Sequence, residues 1–299
     1  MTFTANSSEL DRLEAQRKRA RVKKRCLQAA IYALMIVIAA ILLFPYLHMI
    51  LKSLMTAEEV DSPYGSYFPK TPQFINYVTV FDTGGYAKGF IWTMIIILFN
   101  LVAVPFSATL IGYSFAKLKW KGRSAMFAIM LGTMMLPAAV TQLPLYIIFS
   151  KIGFLNTVLP FTVPNLFGGG AVYIFLIVQF MRGIPAELEN AAKIDGANAF
   201  TRYMRIVLPL CKPVLVYVMV QVFLAYWGDY YGPLVYLTAA DSPKTLALIL
   251  YNFITDNSSG TKINVLMAGA VFMSVIPTIL FGIFQRQLIE GVTMGGLKG

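Results

Sequence analysis

The feature that most restricts this chain is a recurrence of long apolar runs almost free of charge. The first, about 28–50, is long enough to cross roughly 30 Å of hydrocarbon. Further runs at about 89–115, 124–149, 161–181, 212–238 and 262–285 repeat the pattern. In lipid every backbone polar group needs an internal partner, so runs of this length form helices. The fold class expected is an all-α polytopic membrane protein with six transmembrane helices. Composition agrees, at 58% hydrophobic and only 13% charged residues, which a soluble domain does not show.

Charge sets the orientation. Eight basic residues crowd positions 12–25: Arg12, Arg17, Lys18, Arg19, Arg21, Lys23, Lys24 and Arg25. With six spans, 19 of the 25 lysines and arginines fall on the side of both termini, and six (Lys52, Lys70, Lys88, Lys151, Lys244 and Lys262) fall on the other. The positive-inside rule then makes both termini cytoplasmic. The formal net charge of +11 is explained by orientation in a lipid bilayer, so no nucleic-acid partner is needed. The apolar run after the basic segment is too long for the h-region of a signal peptide, so it reads as a first span.

Four segments follow. Residues 1–27 form a basic cytoplasmic segment, and 28–88 hold the first span with an extracytoplasmic stretch. Residues 89–285 form the main transmembrane unit, and 286–299 a cytoplasmic tail. In the outer stretch Glu58, Glu59 and Asp61 are placed to cap or open a short helix, and the FPKTPQFINYVTVF run is expected along the membrane surface. Asn100 and Pro105 turn the second span toward protein. Gly168-Gly169-Gly170 in the fourth call for close packing or a break. A second outer loop, with Asp241, Pro243, Asp256 and Gly260, joins the last two spans.

Few residues offer chemistry. His48 is the single histidine, and Cys26 and Cys211 lie at cytoplasmic span ends, which excludes a histidine metal centre and makes a disulfide unexpected. No metal site, catalytic residue or phosphate-binding loop stands out, so the chain is expected to be no enzyme and to bind no ATP or magnesium itself. Asp229 is the one acid inside a predicted span, hence a functional candidate. It sits among Tyr226, Trp227, Tyr230 and Tyr231; aromatic faces and a carboxylate suit a sugar. The same group equally fits an interfacial aromatic belt with Asp229 reaching headgroups. Gln142, Asn165, Gln179 and Gln221 either line a wet path or hydrogen-bond between helices.

The longest polar stretch in the second half, 182–213, is too ordered for a plain loop. Pro185 suits the first turn of a helix, Glu187 and Glu189 its positive end and Lys193 its negative end. Gly196 stands where a left-handed cap belongs, and Asn198 can cap a second helix. That helix carries Phe200, Tyr203, Met204 and Val207 on one face and is expected to end at Leu208-Pro209. Leu188, Ala191, Ala192 and Asp195 share a face of the first helix, short enough for another protein to approach. Spacing alone equally allows an amphipathic linker on the bilayer.

This stretch resembles the EAA loop of type I ABC importer permeases. Ala191-Ala192, Asp195-Gly196-Ala197 and Leu208-Pro209 match in register; Asn190 stands where the motif has glutamate, with Glu189 one residue early. The LPLYIIFSKIGFLNT run and the tail QRQLIEGVTMGGLKG are similar to the maltose-permease branch and its oligosaccharide and polysaccharide relatives. Gly228 stands where that branch often has asparagine. The resemblance implies one of two permease subunits of a carbohydrate importer in the bacterial cytoplasmic membrane, working by alternating access. Its partners would be a second homologous permease, two ATP-binding subunits, an extracytoplasmic solute-binding protein and an oligosaccharide. The loop 182–213 would dock on the ATPases, and Gly295, Gly296 and Lys298 would reach into the ATPase dimer. Tyr226, Trp227, Asp229, Tyr230, Asn165 and Gln142 would touch the substrate path or the receptor. An ion-coupled secondary transporter and a non-transporting membrane scaffold remain the other readings.

Overall fold

A computed structural model describes residues 7–62, 67–82, 85–255 and 262–296, with side chains from 22 to 288. Its described residues are helical with no strand, as expected of a chain that satisfies its backbone within lipid. The first helix, α1 (Ser7–Ser53), carries the apolar stretch Val22–Ser53 and contains Pro45. A short α2 (Ala57–Asp61) begins with a capping box: Glu59 N–H donates to Thr56 Oγ1 at 3.2 Å and Thr56 N–H to Glu59 Oε2 at 3.1 Å. The Thr56 and Lys70 backbone donors hold the Glu59 carboxyl below its usual range. The following stretch packs against the bundle. It forms α3 (Ile75–Asp82), whose Asn76 and Val80 are buried. Asn76 Nδ2 donates to the carbonyls of Ser53 (2.8 Å) and Met55 (2.9 Å), and Asn264 Nδ2 donates to Asn76 Oδ1 at 3.1 Å. That amide cluster ties the end of α1 to α3 and the last helix.

At the centre stands α4 (Tyr86–Ala116). Both polar or helix-breaking residues in its middle, Asn100 and Pro105, are buried, so the helix does face protein. The third apolar run is no straight span. Pro137 ends one helix and starts the next, so α5 (Arg123–Thr133) and α6 (Ala138–Lys151) meet at a bend of 100°. The fourth run is also interrupted. Two short 3₁₀ turns, Leu159–Phe161 and Val163–Phe167, precede α7 (Ala171–Arg182). The three glycines between the second turn and α7, Gly168, Gly169 and Gly170, take positive φ, at 105°, 65° and 123°, so here the break is made by backbone only glycine adopts freely.

Then come α8 (Ala186–Ile194) and α9 (Ala199–Leu210). The second of these does not stop before Pro209. A π-helical stretch, Tyr203–Val207, shifts the hydrogen-bond register so that Leu208 N–H reaches Tyr203 O. The helix therefore runs to Leu210, and after Cys211 the chain turns 75° into α10 (Lys212–Trp227). The helix predicted over 212–238 ends at Trp227. Gly228 stops it, and α11 (Tyr231–Tyr236) is a separate short helix. The expected outer loop beyond it contains α12 (Leu246–Thr255), whose Leu246, Ala247, Leu248 and Ile249 are buried. Residues 256–261, with Asp256 and Gly260, lie outside the described residues. The last helix, α13 (Ile263–Gly296), runs past the predicted end of span six through most of the tail.

The core lies along α4. Its loop-182–213 half packs Val104, Ala108 and Tyr113 against Ile177, Val178 and Met181 of α7 and Val214, Val218 and Val222 of α10. Its other half meets α3, α12 and α13 through Val80, Tyr86, Ile97, Leu246 and Val265. Among the described residues, four helices are long and apolar enough to cross a membrane, or up to six when each bent pair is counted as one span.

Candidate functional site

Two regions gather the residues singled out by sequence. The first is the loop at the α8–α9 end. Pro185 occupies the position just before α8 and not its first turn, while Glu187 and Glu189 fall in the first turn and Lys193 in the last. Gly196 has φ 80°, and the backbone closes with Gly196 N–H to Lys193 O at 3.1 Å and Ala197 N–H to Ala192 O at 2.9 Å, a left-handed helix end. Asn198 Oδ1 accepts from Thr201 N–H at 2.8 Å and caps α9. The face predicted for α9 is split: Tyr203 and Val207 are buried, whereas Phe200 (65%) and Met204 (40%) are exposed.

On α8, Asn190, Ala191, Asp195 and Gly196 are exposed and Ala192 and Ala197 half-buried. Leu188 at 46% and Ile194 at 87% exposure leave an apolar surface on a helix with no neighbour there. Leu208 is half-buried and Pro209 exposed. Glu189 behaves differently from the residue beside it. Its side chain is 12% exposed, Oε1 lies 3.3 Å from Lys117 Nζ, and Oε2 accepts from the Tyr113 hydroxyl at 3.1 Å. Lys117 Nζ also donates to Ile184 O at 2.8 Å. The sequence analysis missed both Tyr113 and Lys117: nothing in KLKWKGR distinguishes one lysine from the next.

The second region lies around the break in the fourth span. Asn165 Nδ2 donates to Asn100 Oδ1 (2.8 Å), to Phe161 O (2.8 Å) and to the Tyr226 hydroxyl. Asn100 Nδ2 in turn donates to Phe161 O at 2.8 Å and to Ile96 O at 2.9 Å. Ser107 Oγ donates to Asn165 O and accepts from Gly168 N–H, both at 3.1 Å. These bonds answer the polar groups that an irregular backbone exposes in an apolar layer. Nearby, Tyr231 donates its hydroxyl to Gln142 Oε1 at 2.7 Å, joining α11 to α6. Asp229 is half-buried and Oδ1 accepts from Gly232 N–H at 3.0 Å, so part of its role is to cap the turn into α11. Tyr230 stacks on Tyr251 at 4.8 Å.

Trp227 stands apart from the group it was placed with. It is 2% exposed, stacked on Phe223 at 5.5 Å, and its indole N–H donates to Met273 O at 2.7 Å. Gln221 bonds Tyr217 one turn away on its own helix. Gly295 and Gly296 fall at the end of α13, and Lys298 lies outside the described residues.

A bundle of long apolar helices, broken at a polar cluster and carrying a stiff helix–glycine–helix loop at one end, defines a polytopic helical membrane protein. Its sequence places it further: the chain belongs to the family of binding-protein-dependent transport system inner membrane components, which it matches over residues 108–293. The arabinooligosaccharides transport system permease protein AraQ of Halalkalibacterium halodurans is 33% identical over 269 residues, covering 88% of this chain and 93% of that protein. The fold is similar to a bacterial ABC transporter involved in the import of the acidic polysaccharide alginate. There the TM-score is 0.77 at 21% identity, over 88% of this chain and 97% of the other. A second structure, of the bacterial alginate ABC transporter in complex with an alginate pentasaccharide-bound periplasmic protein, matches with TM-score 0.59 at 18% identity, over 90% and 97%.

Proposed function

We propose that this chain is one permease subunit of an ATP-driven importer for oligosaccharides. It crosses the bacterial cytoplasmic membrane six times with both termini inside, each bent helix pair serving as one span. A second permease subunit completes the pathway, a solute-binding protein delivers the sugar from outside, and two partner ATPases bind ATP with magnesium and hydrolyse it. The loop at 182–213 docks on the ATPases, as does the tail at Gly295, Gly296 and Lys298.

The observation that carries this reading is the construction of the α8–α9 loop. A short helix with exposed Leu188, Ala191 and Ile194 is held stiffly against the bundle by Glu189 and closed by a left-handed Gly196. A surface that is to receive force needs an apolar contact face and a rigid mount, and this loop has both. With Asn190 neutral and exposed and Glu189 turned inward, docking there rests on apolar contact, Asp195 and the backbone. The sugar class is supported by the relatives' printed substrates, arabinooligosaccharides and alginate. It also fits the hydroxyl, amide and carboxylate groups of Tyr226, Tyr231, Gln142 and Asp229 near the break.

The test is reconstitution of the chain with its permease, ATPase and receptor partners in proteoliposomes. Uptake of labelled oligosaccharide is expected only with ATP inside the ATPase compartment and loaded receptor on the opposite face. Uptake driven by an ion gradient without ATP, or a purified complex that never retains an ATPase, would reject the proposal.

A further inference from the structure

Thr109 and Tyr113 on α4 and Lys117, the residue that caps its end, are spaced four residues apart and so form one stripe along its last turns. All three are engaged by the 182–213 loop. The Thr109 and Tyr203 hydroxyls lie 2.8 Å apart, and the Tyr113 and Tyr203 rings pack at 5.3 Å. Tyr113 and Lys117 hold the two carboxylate oxygens of Glu189. Both helices of the loop therefore grip the same helix, α8 through Glu189 and α9 through Tyr203. Further along, α4 makes a second set of grips: Asn100 and Ser107 bind the backbone and side chain of the broken segment 161–168. From Asn100 to Ala116, the last residue of α4, is 17 residues, about 24 Å at roughly 1.5 Å per residue, with Pro105 inside the helix and Lys117 capping its end.

We propose that α4 is the rod that carries motion from the 182–213 loop to the polar break in the fourth span, and that Glu189 is the positioning residue that locks the loop to it. This rests on the importer reading above. The covalent route from the loop passes through residues 183–185 into α7, where Pro185 has ψ 134°, and through Cys211 into α10, where the chain bends by 75°. The route through Glu189 instead enters a helix whose far contacts hold the break itself. A carboxylate with both oxygens bonded and a 12% exposed side chain transmits displacement better than a chain that bends at its joints. Glu189 thus serves inside the chain and not as the charge offered to the ATPase.

The experiment uses the full complex in proteoliposomes, with E189K, K117E and the exchanged pair K117E/E189K. Each single variant is expected to cut sugar taken up per ATP hydrolysed at least fivefold while ATPase activity persists, and the exchanged pair to recover at least half. In a C26S background, a spin label at L166C is expected to change mobility with ATP and vanadate in the otherwise parental chain, to lose that response in E189K, and to regain it in the exchanged pair. Should a single variant fail to assemble, K117C/E189C in a C26S background answers instead. Bridging the two thiols with a short reducible linker leaves uptake intact if loop and rod move as one body. Uptake blocked by the bridge and restored by reduction overturns the proposal. So does unchanged coupling in both single variants, or an L166C response that survives E189K. A parent complex with no ATP-dependent uptake refutes the importer reading; normal parent uptake with coupled variants refutes this inference alone.

Discussion

Gly196 shows how one residue fixes the direction of an element. Its φ of 80° is left-handed, and no atom lies within 4 Å of where a β-carbon would sit. A side chain there meets no clash; it meets only the intrinsic penalty of that backbone, roughly 1–2 kcal/mol for an L-residue. Gly196→Leu is therefore expected to leave expression and membrane insertion at the parent level. Relaxing to negative φ would swing α9 relative to α8, so transport per ATP should fall severalfold, measured as paired uptake and ATPase rates. Gly196→Asn is expected to retain most coupling, because asparagine tolerates the left-handed region. Full coupling in the leucine variant would show that the loop's angle is immaterial. The glycine and its Asn198 cap were legible beforehand, since each carries a local backbone signature. The inward turn of Glu189 was not, because its partners Tyr113 and Lys117 are 76 and 72 residues away and no local pattern marks them.

Among the elements, the break before α7 joins tight packing to a left-handed backbone. A β-carbon on Gly169 would come 2.5 Å from Val104 Cγ1 on α4, and φ there is 65°. Gly169→Ala combines this clash with backbone strain and is expected to lower stability by about 2–3 kcal/mol. A detergent melting curve should show it as a drop of several degrees in Tm. Val104→Ala opens the space but leaves the strain, so the G169A/V104A double variant should be more stable than the two single losses added together predict. Strict additivity would mean that the two residues do not meet. The glycine run was visible in sequence as a weak helix; that the break is held by Asn100, Ser107 and Asn165 was not, because hydrogen bonds between distant segments leave no periodicity. The same reason hid the 100° bend at Pro137 and the early end of α10 at Gly228: an apolar run reads the same whether straight or folded. The α12 run is ten residues, too short to span a bilayer, and it folds against α4 as a buried helix instead.

For the whole molecule the open face is as informative as the core. The apolar stretch of α1, 32 residues, buries none of its most hydrophobic window within the chain, although Ser274 Oγ donates to Tyr46 Oη at 3.1 Å and anchors its outer part to α13. Such a helix is stable only against lipid or a second subunit, as the proposed importer would supply. In the proposed six-span arrangement its basic approach, ending at Arg25 and the exposed Cys26, lies on the side that holds 19 of 25 basic residues. The two candidate numbers of crossings give different arrangements, so labelling can separate them. In the native chain Cys26 is exposed and Cys211 fully buried, leaving one reactive thiol. A membrane-impermeant maleimide is expected to label Cys26 in inside-out vesicles and not in intact spheroplasts. In a C26S background, D241C on the exposed segment before α12 is expected to label in spheroplasts and not in inside-out vesicles. Between these two positions lie span one, α4, the bent α5–α6 pair, the broken α7 segment and the α9–α10 pair, five crossings in all, an odd number that puts the thiols on opposite faces. K151C in the same background, three crossings from Cys26, is likewise expected to label only in spheroplasts; were α5–α6 re-entrant it would label from the Cys26 side, and were α9–α10 re-entrant it and D241C would label from opposite sides.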